Sequence, residues 1–481
     1  MTPRARRALA SVVVMAGVLV ACSSDAPEGS TPVKGSTTVE RTVADPRSAL
    51  VLTGGARFEI PPHQPGKCSF DYRSQISLVN SAGEPLWTRD IPWVRRQGLL
   101  RSGPTAVAGT HGGLVAFDAA SGAPLWQTSG VGEEAFGINQ ALVLSSTSSE
   151  IRTRSITDGT MAWSWSASQD AYFAGAALQS AGSGAGVVAL NDAGTVVGLD
   201  AGSGEVLWRV ASGGDAGFPP SVSADGQTIL QAVFEGRVLA LAADGTQRWH
   251  WQAPKGAAVA GPPLAHGELV LVRTDPWYGP QGTDQPDPDA AQLVVLRASD
   301  GRQLWRTPID FPAGTESYNM SDTRDVLFEG GMVLIRHPSM RLEAREALTG
   351  DVLWRHEAVA APASRVHLAA IGSVLVVVPR WHEGAIDAFE LATGAALWSS
   401  PAAGVSFGPP VGLADRLLVG SATTTGYGGA EATEEGRLSA IDPASGQEAW
   451  SLQFRDGVLI APTPSEHGAL VISSDPAVFC D

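Results

Sequence analysis

Alternating apolar and polar residues, interrupted by a glycine turn, form a unit that recurs along most of this 481-residue chain. In one copy, residues 196–208, the alternation predicts a half-buried strand that runs into Asp200. The aspartate supplies a side-chain acceptor for a tight turn, and Gly204 tolerates the positive φ that such a turn requires. Trp208 follows on the outgoing strand. The predicted unit is therefore a strand, a tight turn and a second strand that carries a tryptophan.

The spacing of four residues from glycine to tryptophan occurs nine times, and successive tryptophans are 37 to 56 residues apart. A hairpin repeated at this period is typical of a radial β-propeller, in which each tryptophan would fill the wedge between neighbouring blades. Nine ordinary hairpins in a β-sandwich are the alternative, but a sandwich gives no reason for one spacing in every hairpin. We therefore predict an all-β fold, a single β-propeller of four-stranded antiparallel blades with docking tryptophans. The nine pairs are Gly83/Trp87, Gly122/Trp126, Gly159/Trp163, Gly204/Trp208, Gly245/Trp249, Gly301/Trp305, Gly350/Trp354, Gly394/Trp398 and Gly446/Trp450.

The repeat resembles the tryptophan-docking repeat of the PQQ-like (pyrroloquinoline-quinone-like, or quinoprotein-type) β-propellers. Residues 389–398 and 346–354 are similar to the family pattern Ala-x-Asp-x-x-Thr-Gly-x-x-x-Trp, and the resemblance extends over about residues 70–480. It implies the propeller fold. It implies little about chemistry, because the docking motif is structural throughout the family.

The number of blades follows from the number of hairpins. Nine hairpins leave eight intervals, each with room for two further strands, so eight blades fit between the first and the last motif. The first hairpin could also pair with C-terminal strands at residues 458–460 and 470–472, which would give a ninth blade. The family's usual number favours eight, so we predict eight blades and leave nine open.

The N-terminus has the features of a bacterial lipoprotein signal. Arg4, Arg6 and Arg7 precede an apolar run at residues 9–20 that is too short to span a membrane. The sequence Leu-Val-Ala-Cys that ends at Cys22 then matches a lipobox. A plain secretory signal followed by a chance cysteine is the alternative.

These features divide the chain into a signal peptide at residues 1–21, a lipidated cysteine and disordered tether at 22–48, and the propeller at 49–481. A diacylglyceryl lipid on the Cys22 thiol, with palmitate among its acyl chains, would anchor the protein to the extracytoplasmic face of the cell membrane. As a coil, the tether would hold the propeller about 25–30 Å from the membrane.

Two further cysteines, Cys68 and Cys480, flank the repeats. In a closed propeller the first and last strands lie side by side, and an exported protein meets oxidising conditions that favour a disulfide. We therefore predict a bond between these residues, with two buried free thiols as the alternative.

The composition fits an exported bacterial protein. The formal net charge of −16 argues against nucleic acid or an anionic membrane face as a partner. Three lysines against thirty arginines, together with abundant alanine and glycine, suggest a GC-rich bacterial source.

No catalytic or metal-binding motif in the sequence has its required context. Residues 404–408 match the nucleophile-elbow string but run into Pro409 instead of a helix. His382 has no second histidine at metalloprotease spacing, and the vicinal cysteines of quinoprotein dehydrogenases are absent. We therefore predict no catalytic, metal or cofactor-binding residues. PQQ with Ca²⁺ enters only under the alternative function, a quinoprotein-like oxidoreductase of alcohols or sugars.

Two insertions, residues 275–289 and 421–435, lengthen the two longest intervals between tryptophans. Both come just before the strand that enters a tight turn, so we expect them between the second and third strands of their blades, on the face opposite the tight turns. Loops on a rigid scaffold commonly carry recognition, and Trp277, Tyr278 and Tyr427 are candidate anchors for a partner. Tolerated loop growth is the alternative.

The preferred function is a non-enzymatic scaffold, anchored in the membrane, that binds another envelope protein or peptide. In this it resembles the propeller lipoproteins of the same repeat type that help to assemble outer-membrane proteins. A source without an outer-membrane assembly machine would require a different partner.

Overall fold

The computed structural model describes most of the chain between residues 73 and 473 and two short stretches before it. The described residues are 41–42, 48–55, 73–80, 82–92, 94–110, 112–129, 134–138, 141–147, 150–166, 176–179, 186–192, 194–214, 218–223, 225–276, 288–309, 326–339, 341–357, 365–380, 384–402, 404, 410–413, 415–425, 433–455, 459–465 and 468–473.

These residues form 39 β-strands in nine sheets, with one short 3-10 helix at Pro288–Ala290. Eight of the sheets are made of antiparallel strands that follow one another along the chain, and we number them blades one to eight. The blades form a ring, so the fold is a β-propeller. In this described part of the chain, no helix is long and apolar enough to cross a membrane.

Blades one to four occupy residues 94 to 252, with four strands each. Their strands are β5 (Val94–Ser102), β6 (Thr105–Thr110), β7 (Gly113–Asp118) and β8 (Pro124–Gln127); β9 (Glu134–Ile138), β10 (Leu142–Ser146), β11 (Glu150–Ser155) and β12 (Met161–Ser166); β13 (Ala176–Gln179), β14 (Val187–Asp192), β15 (Thr195–Asp200) and β16 (Val206–Ala211); and β17 (Ser221–Val222), β18 (Ile229–Val233), β19 (Arg237–Leu241) and β20 (Gln247–Gln252).

Blades five to eight continue to residue 455, and blade five has the short β22 as an additional strand paired with β23. Their strands are β21 (Ala257–Val259), β22 (Leu264–His266), β23 (Leu269–Pro276), β24 (Gln292–Arg297) and β25 (Gln303–Pro308); β26 (Val326–Glu329), β27 (Met332–Arg336), β28 (Leu342–Glu346) and β29 (Val352–His356); β30 (Arg365–Ile371), β31 (Val374–Arg380), β32 (Ala385–Glu390) and β33 (Ala396–Pro401); and β34 (Val411–Leu413), β35 (Arg416–Thr425), β36 (Thr433–Ile441) and β37 (Glu448–Arg455).

The ninth sheet, which we call the closing sheet, joins the two ends of the chain. Its strands, in spatial order, are β38 (Leu459–Ser465), β39 (Gly468–Ser473), β2 (Ser48–Gly55), β3 (Arg73–Asn80) and β4 (Pro85–Pro92). Strands β39 and β2 are parallel, with Leu50 opposite Leu470 and Val51 opposite Val471. Backbone pairing between the first and last parts of the propeller therefore closes the ring.

This architecture confirms the all-β propeller and the eight antiparallel blades expected between the first and last motifs. The first hairpin and the C-terminal strands, whose pairing the sequence left open, share the closing sheet but do not pair directly, because β2 lies between β39 and β3. Cys68 and Cys480 lie outside the described residues, and the structure gives no support for a disulfide between them. The signal peptide and Cys22 lie outside the described residues as well.

The segment predicted as a tether differs from expectation near its end. Arg41–Thr42 form strand β1, which pairs antiparallel with β37 and so adds a fifth strand to blade eight. The outer edge of a sheet presents unpaired N–H and C=O groups, which any extended segment nearby can satisfy. The structured part of the chain therefore begins before residue 49.

Burial separates the middle strands of a blade from its outer strand. All six residues of β14 are buried, because neighbouring blades cover both of its faces. In the outer strand β16 of the same blade, exposed residues dominate and only Trp208 and Val210 are partly buried. The middle strands are therefore nearly continuous runs of buried apolar residues, and the hydrophobic core ends at the outer strands.

Each of the nine docking tryptophans packs its ring against the glycine of the next repeat. A Cβ atom added at Gly394, for example, would lie 2.4 Å from Cε3 of Trp354, so no side chain fits there. The last tryptophan, Trp450, packs on Gly83 of the closing sheet, so the series of contacts is circular. The contacts are Trp87 on Gly122, Trp126 on Gly159, Trp163 on Gly204, Trp208 on Gly245, Trp249 on Gly301, Trp305 on Gly350, Trp354 on Gly394, Trp398 on Gly446 and Trp450 on Gly83.

Hydrogen bonds orient seven of these rings. Each indole N–H donates to a backbone carbonyl in the tight turn of the next blade, at N···O distances of 2.7 to 3.0 Å. Trp87 differs, since its buried Nε1 has no hydrogen-bond partner among the described residues. Its ring instead meets the ring of Phe117 edge-on, with the centroids 5.8 Å apart. The acceptors are the carbonyls of Ile156, Ala201, Ala243, Ala298, Ala347, Leu391 and Pro443.

The hydrophobic core lies between blades. At the interface of blades six and seven, Leu334 and Trp354 from one blade pack with Leu375 and Phe389 from the other. A blade has no closed core of its own, so its stability depends on both neighbours.

We expect Gly394→Ala to destabilise the protein more than Gly372→Ala does. Both glycines have positive φ, +69° and +59°, but a Cβ at Gly372 would meet no atom within 4 Å. Backbone strain of about 1 kcal/mol is therefore common to both variants. The overlap with Trp354 should add about 1–3 kcal/mol at Gly394 alone. Urea titration measures the two free energies of unfolding, and equal losses would contradict a tryptophan contact that requires glycine.

Candidate protein-binding face

The order of strands gives the propeller two different faces. In blades one to eight and in the closing sheet, the tight turn that carries the Gly-x-x-x-Trp glycine joins the last two strands. The connection between the second and third strands lies at the opposite end of the blade. The nine tight turns share one side of the ring because each glycine receives the tryptophan of the preceding repeat. We call that side the tight-turn face and the other side the insertion face.

Both insertions leave from the insertion face. The first connects β23 to β24 in blade five and the second connects β35 to β36 in blade eight. Each lies between the second and third strands of its blade. The candidate anchors Trp277, Tyr278 and Tyr427 lie outside the described residues.

The base of the first insertion is fixed by two hydrogen bonds, of which the first is buried. The Thr274 hydroxyl donates to the Ala290 carbonyl at 2.6 Å, and the Gln292 side-chain amide donates to the Asp289 carbonyl at 2.7 Å. Ala290 and Ala291 are almost fully buried. The two ends of the insertion, at Thr274 and Ala290, are therefore held together.

An ion pair adds to this base on the side of β23. The Arg273 guanidinium lies 3.2 Å from a carboxylate oxygen of Asp275, and both side chains are mostly buried. Burial raises the pKa of Asp275 above its ordinary value, and the charge and hydrogen bond of Arg273 oppose that rise only in part. The carboxyl group that introduces the insertion is therefore easier to protonate than an exposed aspartate.

The second insertion is a lengthened hairpin more than a loop. Strand pairing continues from Ser421 opposite Arg437 out to Thr425 opposite Thr433, so only residues 426–432 remain for the connection. The run Ala-Thr-Thr-Thr favours a strand, because β-branched side chains suit a pleated surface. Much of the long interval between Trp398 and Trp450 is therefore occupied by lengthened strands and not by a loop.

A charged cluster occupies the side of blade six that faces blade five. The fully buried Glu343 accepts hydrogen bonds from Nε of Arg345 and from Nε of Arg355, the latter at 2.6 Å, and Arg341 lies 3.5 Å away. Arg341 in turn hydrogen-bonds His337 at 3.2 Å. The neighbouring apolar residues on the same side of blade six, such as Ile335, pack against blade five, which places the cluster at that interface.

The arginines keep Glu343 ionised. Burial by itself would raise the pKa of Glu343, but the hydrogen bonds from Arg355 and Arg345 and the charge of Arg345 outweigh it. The pKa therefore lies below its ordinary value. The buried carboxylate, held by three arginines, therefore links β28 to β29 through Arg355.

Glu343 was not among the residues expected to be functional, although the sequence carries a signal for it. Seven residues before the turn glycine, four other repeats have valine, as at Val115, Val197 and Val294, whereas this repeat has Glu343 and two others have Arg152 and Asp387. Charged residues at alternate positions of a buried strand can be found by aligning the repeats on their glycines. That comparison identifies the position but not the three partners.

Among the described residues, no group of three or more His, Cys, Asp or Glu side chains is placed to hold a metal ion. A cavity of about 100 Å³ lies between blades seven and eight, with Val378, Ile386 and Val419 in its wall. Its one ionisable wall residue, Glu448, is bound by Arg437 at 2.6 Å.

A comparison with known protein families decides the affiliation. A family model described as outer membrane protein assembly factor BamB matches residues 73–275, 192–378 and 382–479. The chain belongs to the BamB family. This confirms the resemblance to PQQ-like propellers on which the fold prediction rested.

Relatives within the BamB family match part of the chain. The outer membrane protein assembly factor BamB of Burkholderia pseudomallei is 27% identical over 43% of this chain and 60% of its own length. That of Nitrosomonas eutropha is 28% identical over 44% of this chain and 47% of its own length. The chain thus spans less than two thirds of these curated relatives.

Two solved structures are among those to which the chain is similar. The crystal structure of BamB from Moraxella catarrhalis is 16% identical, covering 75% of this chain and 95% of that one, with a TM-score of 0.48. A europium-containing methanol dehydrogenase is 12% identical over 69% of this chain and 79% of its own, with a TM-score of 0.45.

We expect Glu343→Gln to cost about 3–5 kcal/mol at neutral pH, because it leaves Arg341 and Arg345, both mostly buried, without their counter-charge. Glu448→Gln is the matched control, a half-exposed carboxylate on an arginine, and should cost under about 1 kcal/mol.

The difference should depend on pH. The folded pKa of Glu343 is lowered, so its contribution is complete above the ordinary carboxyl pKa of about 4.3 and is lost as pH falls through the folded pKa. Denaturant titrations at several pH values should therefore show wild type and Glu343→Gln converging in acid. A constant difference would contradict the role of the ionised carboxylate.

Proposed function

We propose that this chain is a lipid-anchored, non-enzymatic scaffold of the cell envelope that binds another envelope protein through its insertion face. The observation that carries the proposal is the family-model match over most of the propeller. The relatives are named for outer-membrane protein assembly, and we propose assembly of an envelope protein as the process that this chain assists.

The geometry supports a scaffold in two ways. The closed ring of tryptophan contacts gives a rigid body, and rigid bodies lose little conformational freedom on binding. The long hairpin of blade eight and the fixed base of the blade-five insertion both project from one face of that body. A partner could therefore contact both at once, which raises its affinity beyond that for either alone.

The proposal includes no quinone and no metal ion. The sequence lacks the vicinal cysteines of quinoprotein dehydrogenases, which supports it. An absorbance spectrum of the purified protein after incubation with PQQ and Ca²⁺ tests this part, since a stable quinone band on the protein would favour the oxidoreductase alternative.

Replacing residues 277–287 and 426–432 by short Gly-Ser linkers should remove the main crosslinked adduct formed in native membranes. The linkers leave the hydrogen-bonded base and the paired strands in place, so the fold should persist. A matched control is the double variant Ala120→Lys and Ala444→Lys, which adds charge at exposed turns of the tight-turn face. Mass spectrometry of the adducts measures both. Adducts that survive the linkers and disappear in the control would overturn the assignment of the binding face.

Cys22→Ala should abolish lipid modification, because Cys22 is the lipobox cysteine and its thiol is the predicted attachment site. The variant should move from the detergent phase to the aqueous phase on phase partitioning. Cys68→Ala serves as the control and should stay in the detergent phase. A Cys22→Ala protein that remains lipid-modified would rule out this residue.

A further inference from the structure

Strand β1 decides from which face of the propeller the N-terminal segment departs. Thr42 lies opposite Ser451 and Arg41 opposite Leu452 on the outer strand of blade eight. Strand β37 runs from the tight turn at Gly446 toward the insertion face. Because β1 is antiparallel to β37, the chain that precedes Arg41 is directed toward the insertion face.

Strand β2, which follows β1, would direct the N-terminal segment toward the opposite face. Ser48, the first residue of β2, lies opposite Asn80, whose carbonyl accepts the hydrogen bond of the Gly83 tight turn at 2.9 Å. The start of β2 is therefore at the tight-turn face. If β1 were not paired, the segment would leave the propeller from that face.

We infer that pairing of Arg41–Thr42 with β37 turns the insertion face of the propeller toward the membrane. The inference rests on the proposed lipid anchor at Cys22, since the direction of the tether matters only if its far end is fixed. Two paired residues are sufficient for this role, because they need only to set the direction of the chain. The stability of the core does not depend on them. The consequence is that a partner of the insertion face meets it in the space between the propeller and the bilayer.

The orientation can be measured by energy transfer to acceptor-labelled lipid headgroups. Two donor positions on blade one are matched: Gly112→Cys in the turn between β6 and β7 and Ala120→Cys in the turn between β7 and β8. Both positions are exposed, and a Cβ at Gly112 meets no atom within 4 Å. Each is placed in the full lipidated chain with Cys68→Ser and Cys480→Ser, so that the label has one site.

We expect stronger transfer from position 112 than from position 120. In the double variant Arg41→Pro and Thr42→Pro, which removes both N–H groups of β1, the difference should vanish or reverse. Arg41→Ala with Thr42→Val is the control, because it keeps both N–H groups and should keep the difference. Hydrogen exchange of the proline variant should rise at the outer edge of β37 while the middle strands stay protected, which shows that the propeller is still folded.

The outcomes separate the inference from the proposed function. If the chain fails to bind the vesicles, the lipid anchor is wrong and the inference falls with it. If the chain binds and transfer is equal at the two positions, or the proline variant keeps the wild-type difference, the anchor stands and the orienting role of β1 is overturned.

Discussion

The contact between a tryptophan ring and the glycine of the next repeat is the constraint on which the rest of the structure depends. The glycine is required twice over. The turn has positive φ, and a Cβ atom would enter the space that the ring occupies. Because each contact joins one blade to the next, nine identical local interactions define a closed ring. The last of these contacts, Trp450 on Gly83, joins blade eight to the closing sheet, in which β39 pairs with β2.

The residue that packs beside the tryptophan ring can vary, but a charged residue at this position requires a partner of opposite charge. The residue five positions before the turn glycine differs between blades. In blade one it is Phe117, whose ring packs edge-on against Trp87. In blade six it is Arg345, which lies 6.0 Å from the centre of the Trp305 ring. The arginine can replace the aromatic ring because it covers the tryptophan and donates to the Gly350 carbonyl at 2.7 Å. Its charge is in turn balanced by Glu343. A polar cluster of this kind stabilises only when every member has a partner, so Glu343 and its arginines must change together.

A ring built in this way separates stability from recognition. The glycines of the tight turns receive the docking tryptophans, so substitution of those glycines disturbs the ring. None of the nine docking contacts involves a connection at the insertion face, where the two insertions arise. The strands below them are held by the Thr274 hydroxyl and by pairing as far as Thr425. The molecule therefore has one face that maintains the fold and one on which binding residues can vary.

The sequence by itself determined the fold, because its decisive interaction is local and repeated. Nine glycine–tryptophan pairs at one spacing were sufficient to identify the hairpins, the all-β propeller, the blades between the motifs and the strands from which the insertions arise. Only the tertiary structure decided what depends on distant partners. It paired β2 with β39 in parallel across more than 400 residues and added Arg41–Thr42 to the rim of blade eight. It also brought Arg355 to Glu343 across a hairpin. Backbone edges and buried charges accept many partners, so their choice follows from which groups the closed ring brings together, and no local pattern records it.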